Sequence, residues 1–170
     1  MPDARHETLI VTGLKNAHAM ENQALSIMRP QVARIESYPE VARRLEQHIT
    51  ETEGQIGRID ELLDQFGADS STLKDFALSF SGSMAAMGHT IAGDEILKNS
   101  FANFAFENFE IAAYKSLLIL AELAGHGNVT SALLANLKEE QAMAQWLDEN
   151  VAAVTTRFAS LKEDGQTAKV

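Results

Sequence analysis

The sequence predicts an all-α protein, a four-helix bundle, on three observations. Apolar residues recur at three- and four-residue steps along four long segments. No stretch alternates convincingly with period two. Only 3 Pro and 10 Gly occur in 170 residues, so the punctuation leaves room for long uninterrupted elements. The expected arrangement is two antiparallel hairpins, the first helix with the second and the third with the fourth. A longer crossover joins them and carries one short extra helix. Residues 1–163 make up the bundle domain, and residues 164–170 a polar, frayed C-terminal tail.

The first segment runs from about Arg5 to Ile35, with Ile10, Leu14, Ala17, Ala24 and Met28 on its stripe. Pro30 falls in its last turns and is expected to kink the helix rather than end it. The second starts at Pro39, a residue suited to a first helical position, with Ser37 just upstream. Val41, Leu45, Ile49, Thr52, Ile56, Ile59, Leu63 and Phe66 form its stripe. The turn formers from Gly67 to Thr72 then break the chain, and Thr72 to Met87 reads as the short extra helix. The third segment, from about Gly93 to Ala124, is apolar on nearly all sides, with Phe101, Phe104, Phe106 and Phe109 in close succession. Such a helix is either central or lies at a subunit contact. Gly125 to Asn128 is the last break, with Asn128 able to cap the fourth segment, which runs from Val129 to about Leu161.

Composition excludes several classes of function. The chain has no Cys, so it can hold no disulfide framework, zinc ribbon, thiolate-bound iron–sulfur cluster or cysteine nucleophile. Its 24 acidic residues outnumber 14 basic ones, for a formal charge of -10. That balance argues against nucleic acid and against an anionic membrane surface as partners. No stretch has the basic start and apolar run of a signal peptide, and no 18-residue apolar span exists. The expected location is cytoplasmic.

The informative polar residues are those that fall on the apolar stripes. At about 100° per residue, Glu21 comes round among Leu14, Ala17 and Met28 on the first helix. Glu107 falls between Ser100, Ile111, Tyr114 and Leu118 on the third, and Glu140 between Leu133, Leu137, Ala144 and Leu147 on the fourth. Its neighbour Glu139 points away and reads as a solvated charge. On the second helix His48 lies on the stripe, with Glu51 one turn on at its edge. Glu110 shares the face of Glu107 three residues later and can ligate, orient a ligand or form a salt bridge. His18 precedes Glu21 as His48 precedes Glu51, but farther from the stripe centre. Tyr114 reads as a core residue. A carboxylate in an apolar core is expensive unless paired or bound to a metal. Four helices that each offer one at similar depth, with few basic residues to pair them, fit a carboxylate-bridged dinuclear metal site.

On these residues the chain resembles the YciE/YciF branch of the ferritin-like superfamily, over almost its whole length. The strongest elements are His48-Ile-Thr-Glu-Thr-Glu-Gly-Gln55 and Phe106-Glu-Asn-Phe-Glu-Ile-Ala-Ala-Tyr114, with weaker ones at Ala19 to Gln23 and Leu137 to Glu140. The resemblance implies a ferritin-like bundle, a homodimer and a rubrerythrin-like di-metal position, in a family linked to stress responses. It implies lone ligands at Glu21 and Glu107, a doubled Glu at Glu107 and Glu110, and bridging Glu at Glu51 and Glu140. The His expected three residues after each bridging Glu is missing, since Gly54 and Met143 stand there. A site so poor in imidazole suits Fe, or Mn, over Zn or Cu. The expected function is therefore binding of two Fe or Mn ions per chain, with Glu51 and Glu140 bridging and Glu21, Glu107, His48 and Glu110 as terminal ligands, and with Fe(II) oxidised by peroxide or dioxygen. The competing expectation is a structural dimer whose metal only stabilises it.

Overall fold

The computed structural model describes residues 4–68 and 92–170. Four helices account for most of them: α1 (Ala4–Val32), α2 (Pro39–Gln65), α3 (Glu95–Leu123) and α4 (Gly127–Glu163). There is no strand among the described residues. The short helix expected at 72–87 lies outside them.

The helix ends follow local chemistry, with some departures from expectation. Pro30 sits in the last turn of α1, which ends two residues later. Pro39 occupies the first turn of α2, where its missing N–H leaves no helical bond unmade. Ser37 does not cap that helix; its hydroxyl donates to the Thr167 carbonyl at 2.9 Å. Asn128 does not cap α4 either. It lies inside the helix and donates to the Gln65 side chain at 3.1 Å. Gly125 ends α3 with φ of 73°, a left-handed turn that lets the His126 N–H reach back to the Ala121 carbonyl at 2.9 Å.

Contacts at the two ends define the topology. At one end the close of α1 meets the start of α3 through Arg34 and Glu95, 2.7 Å apart. The start of α2 meets the chain end there, through Ser37 N–H to the Val170 carbonyl at 3.0 Å. At the other end, Phe66 after α2 packs edge-on against His126 before α4. So α1 and α2 are antiparallel, as are α3 and α4, and residues 68 and 92 stand at opposite ends of the bundle. Each helix packs on two neighbours: α1 on α2 and α3, α4 on α3 and α2. This is the connectivity of a ferritin-like bundle with one long crossover. α1 and α3 approach closely at Gly13, where a Cβ would lie 2.5 Å from Leu117 Cδ2.

The core runs the length of the bundle, from Tyr38 and Ile96 at one end to Ile10 and Val129 at the other. The aromatic helix α3 uses only part of its apolar surface in it. Phe106, Tyr114 and Leu117 point inward, while Phe101, Phe109, Ile119 and Leu123 remain about half exposed. Four helices packed in a square each have an outer side, and on α3 that side is apolar too.

The C-terminal segment is not frayed. Ala168 is buried, its carbonyl accepts the Tyr38 hydroxyl at 2.7 Å, and the Lys169 carbonyl accepts the Ile96 N–H at 2.9 Å. Its mostly polar sequence concealed this, because the backbone makes most of the hydrogen bonds.

Candidate metal centre

Midway along the bundle, three helices bring four ligand side chains together. α2 contributes His48, α3 contributes Glu107 and Glu110, and α4 contributes Glu140. One ligand atom from each lies within 4.8 Å of all the others, and all four residues are buried. Glu107 and Glu110 meet there because three residues bring a helix side chain back to nearly the same face. His48 Nε2 stands 3.2 Å from Glu107 Oε2 and 3.4 Å from Glu140 Oε2.

Glu21, from α1, closes the site on the fourth side. It is fully buried, and its Oε1 accepts a short hydrogen bond from the Tyr114 hydroxyl. It is the carboxylate that acts most strongly on Glu110, ahead of Glu140 and Glu107.

Glu51 is placed differently from its expected bridging position. Its Oε2 lies 2.8 Å from His48 Nδ1, at the ring edge away from the cluster. Arg44 at 3.2 Å and Gln47 at 2.7 Å occupy the same carboxylate. The cause is its angular position: Glu51 sits at the edge of the stripe and is partly exposed, as its periodicity implied. Its geometry is that of a carboxylate that orients an imidazole from behind. His18 is also outside the cluster, 3.3 Å from the exposed Asp60.

Burial and mutual repulsion govern the charge. Burial, reinforced by Glu140, holds Glu21 well above the usual carboxylate range. Burial and the neighbouring carboxylates do the same for Glu110. Burial raises Glu107 to about 8, against the pull of His48. Burial alone would lower His48, but Glu107, Glu140 and Glu51 outweigh it and raise it to about 12. For Glu140 burial is likewise outweighed, chiefly by His48, and its pKa is lowered. Glu51, beside His48 and Arg44, is held down at about 2 despite partial burial. One imidazolium thus faces several carboxyl groups that it cannot all satisfy.

The hydrogen-bond accounting points the same way. Both oxygens of Glu110, Oε1 of Glu140 and Oε2 of Glu21 are buried with no hydrogen-bond partner among the described residues, and Oε2 of Glu107 and Oε2 of Glu140 have only the ion pair with His48 Nε2, outside hydrogen-bond geometry. Buried polar groups are normally paired, and leaving one unpaired costs on the order of 1–3 kcal/mol, more for a charged group. Several converging on one point is a donor set for a hard cation, with one imidazole among oxygens. The residues present therefore fit Fe or Mn.

Periodicity missed part of this site. Thr52 and Gln55 follow His48 on the same face of α2, and both are fully buried. The Gln55 amide faces Glu140 and helps to lower its pKa. Asn136, one turn before Glu140, is buried too, and Arg58 of α2 reaches it. His48 and Thr52 already stood on the stripe of the second helix; the available signal was that Gln55 continues this polar line one turn further, and the apolar reading passed over it. Glu139 is not a free solvated charge, since Arg58 pairs with it in a short contact.

The comparisons agree with this architecture. Residues 5–160 match the family model described as Domain of unknown function (DUF892). Protein YciF of Escherichia coli K12 is 27% identical over 143 residues, covering 80% of this chain and 84% of that protein. A crystal structure of a Xanthomonas campestris pv. campestris protein is 31% identical, with a TM-score of 0.79, covering 94% of this chain and 99% of its own. The crystal structure of YciF, described as an E. coli stress protein, superposes with a TM-score of 0.64 at 22% identity, covering 86% and 94% of the two chains.

Proposed function

Since the chain belongs to the DUF892 family, we propose that it is a ferritin-like dinuclear-metal protein that binds two Fe, or two Mn, ions and oxidises Fe(II) with peroxide or dioxygen during stress. The observation that carries this reading is Glu110, fully buried with both carboxyl oxygens lacking a hydrogen-bond partner. A cation between Glu110 and its neighbours removes that cost. His48, Glu107 and Glu140 would hold one ion, and Glu21 and Glu110 a second. Bound iron would supply electrons one at a time to the oxidant.

The chain's own residues do the rest. Glu51 holds the His48 ring by Nδ1 and so turns Nε2 toward the cluster. His48 gives up its proton for that nitrogen to ligate. Burial by four helices keeps bulk water from the carboxylates, which strengthens their hold on a cation.

The stress role is supported by the description of E. coli YciF as a stress protein. The apolar outer side of α3 supports a homodimer, to be checked by light scattering of the purified protein. A chain without Cys has no need of an oxidising compartment, which suits the cytoplasm. No helix among the described residues is long and apolar enough to cross a membrane.

A second reading has its own observation. Thr52 and Gln55 on α2, and Met143 on α4, put buried residues that carry no charge where an active site gains from further charged or imidazole ligands. On that reading the metal only ties the helices together. Elemental analysis, followed by Fe(II) and peroxide addition, separates the two. Near two ions per chain with turnover supports the enzyme. Bound metal without turnover, and a large fall in Tm on chelation, supports the structural role. No metal even after anaerobic Fe(II) loading ends both.

A further inference from the structure

One chain of hydrogen bonds links the centre to the surface, and its direction can be read from chemistry alone. Arg58 lies at the edge of the bundle, its side chain 30% exposed, and pairs there with Glu139. Its Nε is 2.5 Å from Asn136 Oδ1. The Asn136 amide nitrogen is 2.9 Å from the Tyr114 hydroxyl. That hydroxyl makes its short contact with Glu21 Oε1. The four residues come from α2, α4, α3 and α1 in turn, so every helix of the bundle contributes one link.

Arginine has only donors. The Asn136 atom beside it must therefore be the carbonyl oxygen, which settles an amide orientation otherwise open to reversal. The amide NH2 then faces Tyr114 and donates to the phenol oxygen. With that oxygen occupied as an acceptor, the phenol proton has one partner left, and it goes to Glu21 Oε1. Glu21 Oε2 remains buried, with no hydrogen-bond partner.

We propose that Arg58, Asn136 and Tyr114 form a one-way positioning chain that fixes Glu21 with Oε1 occupied and Oε2 presented to a cation. Glu21 is thereby a ligand through one oxygen, and Arg58, at the surface, sets the direction of every bond behind it. The proposal rests on the metal-binding reading and deepens it: Glu21 serves the second position, beside Glu110. Tyr114 acts as a donor in this chain, and not merely as core filling. None of the three touches the cation. They are positioning residues, and their effect falls on one of two binding steps.

The probe is Mn(II), titrated into metal-free protein, with free ion counted by electron paramagnetic resonance. Wild type is expected to bind two ions in two resolvable steps. Tyr114→Phe removes the donor to Oε1 and should weaken the second step by roughly 10–100-fold, the usual cost of losing a ligand's orienting partner. The first step should be unchanged. Asn136→Asp keeps the shape but cannot donate when ionised, so it should weaken the same step. Arg58→Met frees the amide to reverse and should weaken it less. Arg58→Lys keeps a donor-only group and should restore it, an outcome that general loss of packing does not produce. Circular dichroism and the Tm of each metal-free variant show whether it folds, and Arg58→Lys carries the test should Tyr114→Phe not fold. Unchanged two-step binding in Tyr114→Phe and Asn136→Asp overturns the chain while leaving the metal site standing. Equal loss in Arg58→Lys and Arg58→Met overturns the direction argument. No binding by wild type overturns the metal reading itself, and the proposal with it.

Discussion

Glu110 and Glu95 are both fully buried glutamates on α3, yet their pKa values move in opposite directions. Burial raises both. At Glu95 the cost is outweighed by Arg34, which reaches one carboxyl oxygen with Nε at 2.9 Å and Nη2 at 2.7 Å, and by Lys169 at 3.4 Å from the other. Glu95 therefore stays ionised and binds the C-terminal segment and the end of α1 to the start of α3. At Glu110 burial is reinforced by the carboxyl groups of Glu21, Glu140 and Glu107, with no arginine or lysine among the described residues to answer them, and its pKa is pushed well up. A buried carboxylate whose counter-charge is supplied by the chain is a structural tie. One whose counter-charge is missing from the chain is a binding group waiting for a cation.

The largest expected effect tests the unpaired group. Glu140→Gln removes the carboxylate that faces both His48 and Glu110, and should abolish Fe or Mn binding by elemental analysis. A variant that loads like wild type would contradict the site.

Acidity separates the two regions next. The pKa of Glu107 is raised from its ordinary 4.5 to about 8, so its contribution to stability is full below 4.5 and lost as pH rises through 8. His48, raised from 6.5 to about 12, contributes in the same sense, with its share lost progressively above 6.5. Glu95 is lowered, so its contribution is present above the ordinary carboxylate value and lost on acidification. Metal-free protein should thus melt several degrees lower at pH 8 than at pH 5.5, and lower again in strong acid. Loading with metal should remove most of the alkaline fall, because the cation replaces the protons. A metal-free Tm that is flat from pH 5.5 to 8 would mean the cluster is solvated.

A smaller effect belongs to the paired group. Glu95→Gln should destabilise the protein by about 2 kcal/mol, since it strips charge-assisted bonds from Arg34 and Lys169, which stay partly solvated. Urea denaturation reads this directly, and metal content should not change. The smallest effect carries the most information. Glu110→Gln should stabilise the metal-free protein at pH 8 by about 1 kcal/mol, by relieving repulsion, while it weakens metal binding. A loss of stability of the size expected for Glu95→Gln would place Glu110 with the structural ties.

Much of this was legible in the residue pattern. The four helices, their order and the inward placement of Glu21, His48, Glu107 and Glu140 follow from a period of about 3.6 residues, because burial depends on angle around the helix. Glu51 at the stripe edge was legible too, and its position behind His48 follows from it. The docked chain end was not, because most of its bonds are made by the backbone of Thr167 to Val170, which a short, mostly polar segment does not announce. Nor was Asn136 legible, since a lone amide on a stripe differs little from a boundary residue until its partners arrive from other helices.

The sequence by itself determined which side chains face inward and how much acid would be buried. Those are properties of single helices, set by local geometry and by the cost of removing charge from water. Only the tertiary structure decided which of those acids are answered. Arg34 and Lys169 reach Glu95 from α1 and from the chain end, while Arg58 stops at Asn136 and its direction reaches Glu21 only through Tyr114. These partners are separated by tens of residues along the chain. Only helix packing brings them within hydrogen-bond range, where electrostatic pairing becomes strong enough to choose between a tie and a binding site.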